Sequence, residues 1–172
     1  MDLRANTLKA DPAKVLKALA PFGAEPAGVL SDALRIAAPE ASERAAPVEA
    51  QPEFAKGWFE VQDLGSQIAA AAAGELKGRQ VLDFCAGGGG KTLALAAAMA
   101  NTGQIYAYDV DARRLSEVVT RGQRAGMRNL QVRSPSRPDP LAGLEGHMTW
   151  CSSTPLARAR GPGGGTRTPS GG

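Results

Sequence analysis

Aromatic side chains make up only 5% of this 172-residue chain, cysteine occurs twice and histidine once. Each scarcity excludes something. With so few aromatics, a hydrophobic content of 43% rests largely on alanine, and the apolar volume is modest for that percentage. No apolar run approaches the roughly 20 residues that a membrane-spanning helix needs. The Ile68 to Ala73 run falls far short, and Met1-Asp2-Leu3-Arg4 does not open a signal peptide. A soluble cytoplasmic protein with no membrane partner is the expectation. Cys85 and Cys151 have no metal-ligand spacing, and in a cytosolic chain they would stay unpaired. His147 has no partner in view.

Acids are missing from the last 24 residues, which hold Arg158, Arg160 and Arg167. Those three arginines account for the whole formal net charge of +3, because residues 1–148 carry 17 basic and 17 acidic side chains. The body is neutral, so bulk charge gives no argument for nucleic acid. The length suits one domain, or a domain with a small appendage. No internal repeat is visible.

What is present has a clear order. Residues 2–8 (DLRANTL) read as a strand, and Asp11 caps a helix whose first position is Pro12, with Val15, Leu16 and Leu19 at helical spacing. The stretch after Gly23 fits one or two short strands, and ASERAAPVEAQPEF reads as a linker. Residues 1–50 thus form a small α/β appendage. From Phe54 the texture turns aromatic and strand-like, followed by a helix opened by Ser66 and closed by Gly78. A regular alternation follows: strand 79–84, helix 92–100, strand 103–109, helix 112–126 with Leu115, Val118 and Val119 on one face, and strand 129–133. This is half of a doubly wound parallel sheet, placed at 51–148. Residues 149–172, with six glycines and three prolines, read as disordered by composition.

The segment VLDFCAGGGGKT (81–92) nearly spells two nucleotide loops and fits neither. The triphosphate loop ending at Gly90-Lys91-Thr92 requires glycine at 85, where Cys85 stands. The dinucleotide pattern begun at Gly87 or Gly88 requires glycine at 92 or 93, where the chain has Thr92 and Leu93. What remains is an apolar strand ending at Asp83, a glycine run that lets backbone approach a ligand, and a helix N-terminus offering free N–H groups. Asp109 ends the second strand 19 residues after Gly90, near the spacing at which an acid accepts both ribose hydroxyls. Glycine loop and ribose acid together describe an adenosine site. Without a fitting triphosphate frame they point to S-adenosylmethionine over ATP. Cys85, leaving a buried strand, reads as a small apolar residue in preference to a nucleophile. Arg113, Arg114, Arg121, Arg124 and Arg128 read as a solvated helix face in preference to a row on a phosphate backbone.

At these residues a specific resemblance appears. VQDLGSQ (61–67), then VLDFCAGGGGKTLALAAAMANTGQIYAYDVDARRL (81–115), resembles the bacterial Sun-type (NOL/NOP/Sun) RNA (cytosine-5) methyltransferases of the ribosomal RNA type. Their loop usually reads D-x-C-A-x-P/G-G-G-K-T after a V-Q-D-x-x-S-Q segment, and RANTLK (4–9) resembles the family's R-x-N-T-L-K strand. The resemblance implies a Rossmann-like S-adenosylmethionine-dependent methyltransferase domain with an incomplete sheet and an RNA-binding-like appendage. It implies S-adenosylmethionine as cofactor and ribosomal RNA as partner, with a monomer as the full-length form. The cofactor residues would be Cys85, Ala86, Gly87, Gly88, Gly89, Gly90 and Lys91, with Asp109 on the ribose. Arg114 matches a family arginine, and Asp139 is the nearest candidate for a third cofactor acid.

The family adds a cysteine thiolate to carbon 6 of cytosine, which makes carbon 5 nucleophilic enough to accept a methyl group. Its cysteines lie in D-A-P-C and T-C segments that this chain lacks, so no residue here receives the catalytic role. The other readings are a nucleotide triphosphatase built on Gly90-Lys91-Thr92 and a non-catalytic RNA- or cofactor-binding module. Restoring one base before Thr149 permits the reading D-L-V-L-V-D-A-P-C-T-G-T-G-T, the family's next strand and motif. Residues 149–172 are therefore expected to be an out-of-frame tail of a truncated chain, leaving the 79–84 strand as an open edge and the chain without activity.

Overall fold

The computed structural model describes residues 1–38 and 47–152. Two four-stranded sheets organise them. The first is antiparallel, built from β1 (Asp2–Ala5), β2 (Ala24–Pro26), β3 (Ala33–Ile36) and β4 (Phe59–Val61) in the order β2-β3-β1-β4. Leu3 lies opposite Leu34 on one side and Val61 on the other. Its core joins Leu3, Ala5, Leu34, Ile36 and Phe59 to Val15 and Leu19 of α1 (Pro12–Leu19). Asp11 opens that helix as expected, its side chain accepting the Ala13 N–H at 2.8 Å.

The second sheet is parallel, in the order β7-β6-β5-β8, with β5 (Gln80–Asp83), β6 (Gln104–Tyr108), β7 (Leu130–Arg133) and β8 (Trp150–Ser152). Crossover helices α4 (Gly90–Ala98) and α5 (Ala112–Ala125) join β5 to β6 and β6 to β7. Side chains alternate across a strand, and Val81, Ile105 and Ala107 share the face on which the helices pack. There Val81 and Ile105 meet Leu95 and Ala96 of α4, Met99 at its C-cap and Ala70 of α3 (Leu64–Ala71), while Ala107 meets Leu115 and Val118 of α5. The opposite face carries Leu82, Tyr106 and Tyr108. Among the described residues the chain therefore forms the expected α/β architecture, with four strands of a Rossmann-like sheet.

Local details depart from expectation for identifiable reasons. The 2–8 strand ends at Ala5 because Asn6 turns the chain: its Nδ2 donates to the carbonyls of Gly57 (2.7 Å) and Ala125 (2.8 Å), and its Oδ1 accepts the Leu8 N–H (3.2 Å). The expected linker holds short helical turns at Val48–Ala50 and at α2 (Pro52–Ala55), with Val48 in the first core; residues 39–46 of it lie outside the described residues. The division near residue 50 falls inside the first sheet's sequence, since that sheet takes β4 from beyond it. Asp63, not Ser66, caps α3, its carboxylate accepting the Ser66 N–H at 3.0 Å, and the helix ends at Ala71 well before Gly78. On α5, Leu115 and Val118 are buried but Val119 is exposed.

The largest departure concerns the tail. Trp150–Ser152 is a strand, pairing in parallel with Val81–Asp83, and the Phe84 N–H donates to the Ser152 carbonyl at 2.8 Å. The open edge expected at β5 is therefore paired along these residues, because an unpaired row of backbone groups on a central strand is costly. The rest of the expected tail, 153–172, lies outside the described residues.

Candidate functional site

The carboxyl ends of β5 and β6 bring together Asp83, the 85–91 loop and Asp109. Asp109, 5% exposed, directly follows β6 and accepts two backbone N–H groups, from Gly87 on Oδ2 (2.8 Å) and from Asp111 on Oδ1 (2.9 Å). A carboxylate offers about four acceptor positions, so each oxygen keeps one after these bonds. The side chain thus ties the loop after β5 to the end of β6.

Within the loop, Ala86 donates its N–H to the Tyr108 carbonyl at 3.0 Å and sets its methyl group in the core with Ala107 and Val118. What Ala86 presents to the site is backbone. The Gly89 N–H donates to the Ala86 carbonyl at 2.9 Å, and Gly89 has φ 90°, a left-handed conformation natural to glycine. A Cβ there would sit 3.0 Å from Leu93 Cδ1 and 3.3 Å from the Val118 Cα. Gly89 is the N-cap of α4 and no side chain caps that helix, so its first N–H groups have no intrahelical partner. Cys85, Gly87, Gly88, Gly90 and Lys91 are half-buried along this rim.

Asp83 is the site residue that the sequence reading underused. It is fully buried, and its Oδ2 accepts the Thr92 hydroxyl at 2.7 Å while Oδ1 has no hydrogen-bond partner among the described residues. Burial pushes its carboxyl above the ordinary value of 3.8; the Thr92 bond, the Lys91 charge and the nearby Cys85 N–H, which falls short of hydrogen-bond geometry, oppose this, and Asp109 adds to it. An orphaned buried carboxylate oxygen beside a free helix N-terminus fits a ligand that carries both a cationic donor and an anionic group. The signal was an acid ending a buried apolar strand.

The remaining candidates lie elsewhere or stay local. Asp139 is exposed and accepts the Leu141 N–H at 3.1 Å, closing its own turn. Arg114 Nε lies 3.9 Å from Asp111 Oδ2, Arg113 and Arg128 are exposed, and exposed His147 closes a turn to the Leu144 carbonyl. Arg121 and Arg124 overturn the solvated-face reading. Both turn inward to Glu60 of β4, whose side chain is 1% exposed: Arg121 Nη2 lies 2.9 Å from Oε2 and Arg124 Nη2 2.5 Å from Oε1. Cys151 on β8 is exposed, yet burial of its thiol raises its pKa above 9.0, with the Asp83 and Cys85 charges adding to the effect. A catalytic thiol requires the opposite shift. Among the described residues, no group of acids, histidines and cysteines could hold a metal ion. None of the described helices is long and apolar enough to cross a membrane.

A parallel sheet with a glycine loop after its first strand and an acid after the next is the half-domain of a Rossmann-type fold. Comparison with known proteins makes this particular. Residues 73–139 match the family described as 16S rRNA methyltransferase RsmB/F. The chain is 40% identical over 103 residues (60% of its length, 22% of the relative's) to "Ribosomal RNA small subunit methyltransferase B" of Citrobacter koseri. It is 31% identical over 134 residues (77% of its length, 29% of the relative's) to "Probable ribosomal RNA small subunit methyltransferase B" of Synechocystis sp.. The solved structure of a methyltransferase homolog from Pyrococcus horikoshii superposes with a TM-score of 0.68 at 30% identity, covering 78% of this chain and 43% of that one. Over residues 73–139 the chain belongs to the Sun-type methyltransferase family, in its RsmB/F branch. It spans less than a third of the length of these curated relatives.

Proposed function

We propose that this chain is the cofactor-binding part of an S-adenosylmethionine-dependent enzyme that methylates carbon 5 of cytosine in ribosomal RNA in the cytoplasm. One observation carries the reading beyond family membership: Asp83 Oδ1, fully buried and unpartnered, stands next to a glycine loop and a free helix N-terminus. The cofactor supplies a methyl group on a sulfonium. The chain's own residues bind and orient it. The Asp109 oxygens take the ribose hydroxyls with their remaining lone pairs, and Asp83 takes the ammonium. Backbone of Cys85–Lys91 approaches closely because glycine at 87–90 leaves no Cβ in the way.

The catalytic thiolate is assigned to neither cysteine. Cys85 belongs to the loop, and burial moves the Cys151 thiol pKa upward, away from what a nucleophile needs. The triphosphatase reading has a physical objection, since the Thr92 hydroxyl that would meet a magnesium ion is 0% exposed and donates to Asp83. Isothermal titration of the 172-residue chain decides between them. S-adenosylhomocysteine is expected to bind and Mg-ATP is not; the reverse result would overturn the proposal.

A further inference from the structure

We propose that Arg121 is a positioning residue for the glycine loop, so that Glu60 of the first sheet sets the loop's conformation through it. The guanidinium bridges two elements that are remote in sequence. Its Nε and Nη2 donate to Glu60 Oε2 at 3.3 and 2.9 Å, across 61 residues, and its Nη1 donates to the Gly88 carbonyl at 2.6 Å, across 33. Because the guanidinium is a rigid planar fork, docking one edge on a buried carboxylate fixes where the third N–H points.

That third bond falls on a peptide unit with little else to hold it. The Gly88–Gly89 peptide has a glycine on each side and so lacks the Cβ restraint that limits rotation elsewhere. Its N–H is anchored to the Ala86 carbonyl at 2.9 Å, and its carbonyl to Arg121. With both ends tied, the plane is set, and with it the φ of 90° at Gly89 that starts α4. A Cβ at Gly88 would lie 3.4 Å from Arg121 Nη1 and 3.0 Å from Glu117 Oε2, so the guanidinium and the Glu117 carboxylate both close on this part of the loop.

Arg124 divides the labour. It binds both Glu60 oxygens and lays its guanidinium 3.7 Å from the Phe54 ring centroid, with no bond to the loop. When Arg121 is removed, Arg124 still neutralises the buried carboxylate. The two arginines thus share one anchor, and only Arg121 passes its position on to the loop.

The test uses the 172-residue chain labelled with nitrogen-15 glycine. Amide resonances and hydrogen exchange of Gly87–Gly90 are compared in wild type, Arg121→Met, Arg121→Lys and Arg124→Met without ligand. Arg121→Met is expected to move the loop resonances and speed Gly89 exchange about tenfold or more, the scale of a lost hydrogen bond to a charged donor. Arg124→Met is expected to lower the melting temperature and leave the loop resonances in place. Arg121→Lys keeps a positive charge against Glu60 without the fork, so it is expected to release the loop as Arg121→Met does and carries the test if Arg121→Met does not fold. Loop resonances unmoved in both Arg121 variants, or moved equally by Arg124→Met, would overturn the proposal. Its consequence for affinity rests on the cofactor reading, and the two fail separately. If wild type does not bind S-adenosylhomocysteine while the loop still answers to Arg121, the cofactor reading falls and the positioning role stands.

Discussion

The Gly87 N–H donates to Asp109 Oδ2 at 2.8 Å, joining the loop after β5 to the end of β6 through one buried carboxylate. The acid proposed to hold the ribose therefore also holds the loop that surrounds it. Asp109→Ala removes both functions. The substitution is expected to weaken S-adenosylhomocysteine binding tenfold or more, because charge-assisted hydrogen bonds contribute about 1.5–3 kcal/mol each. It should also lower the melting temperature, since the Gly87 and Asp111 N–H groups lose their acceptor. Titration calorimetry well below the variant's melting temperature reads the first effect, and an unchanged dissociation constant would remove Asp109 from the site.

Gly89→Val is expected to disturb the loop far more than Cys85→Ser. Valine at φ 90° is strained, and its Cβ meets Leu93 Cδ1 at 3.0 Å and the Val118 backbone at 3.3 Å. Cys85→Ser changes little volume at a half-buried position. Thermal melting and ligand titration of the two variants measure the contrast; equal losses of binding would give Cys85 a chemical role.

Asp83 makes stability depend on pH with a definite sign. Its folded-state value lies above the ordinary 3.8, chiefly through burial, so the folded state holds the proton more tightly than the unfolded one. The stability it contributes is complete below pH 3.8 and is lost as pH rises through the raised value. Asp83→Asn removes this titration and keeps an oxygen to accept the Thr92 hydroxyl. The variant should match wild type in acid and exceed it at neutral pH, while losing cofactor affinity. Urea unfolding at a series of pH values checks this, and a wild type that gained stability relative to Asp83→Asn above pH 3.8 would contradict it.

Cys151 is exposed but its thiol is raised above 9.0, with burial as the main cause and the Asp83 charge as a contributor. Iodoacetamide is expected to label it more slowly at pH 8 than it labels a free cysteine, with the rate rising only above pH 9. Asp83→Asn should shift that rise to lower pH, because a negative charge that disfavours the thiolate is gone. Mass spectrometry of Cys151 against pH reads both effects. Fast labelling at neutral pH would reopen Cys151 as a nucleophile.

The β5–α4–β6–α5–β7 run was legible because its determinants are local. Asp111 caps α5 by accepting the Arg113 N–H at 2.9 Å, Gly126 ends it at φ 78°, and Leu115 and Val118 lie within a single turn of the buried face. The glycine loop and Asp109 were legible for the same reason, as strand ends at a fixed spacing. By itself, then, the sequence determined the α/β alternation, the family and the residues that rim the candidate site. Only the tertiary structure decided which long-range partners those residues meet. It placed β4 in the first sheet and Trp150–Ser152 beside β5, and it turned Arg121 and Arg124 from an expected solvated face onto Glu60, 61 and 64 residues away. The physical reason is that helical spacing states which side chains share a stripe, whereas the element that covers the stripe is chosen by burial elsewhere in the chain. A carboxylate removed from water must find its cations wherever the packed sheets bring them.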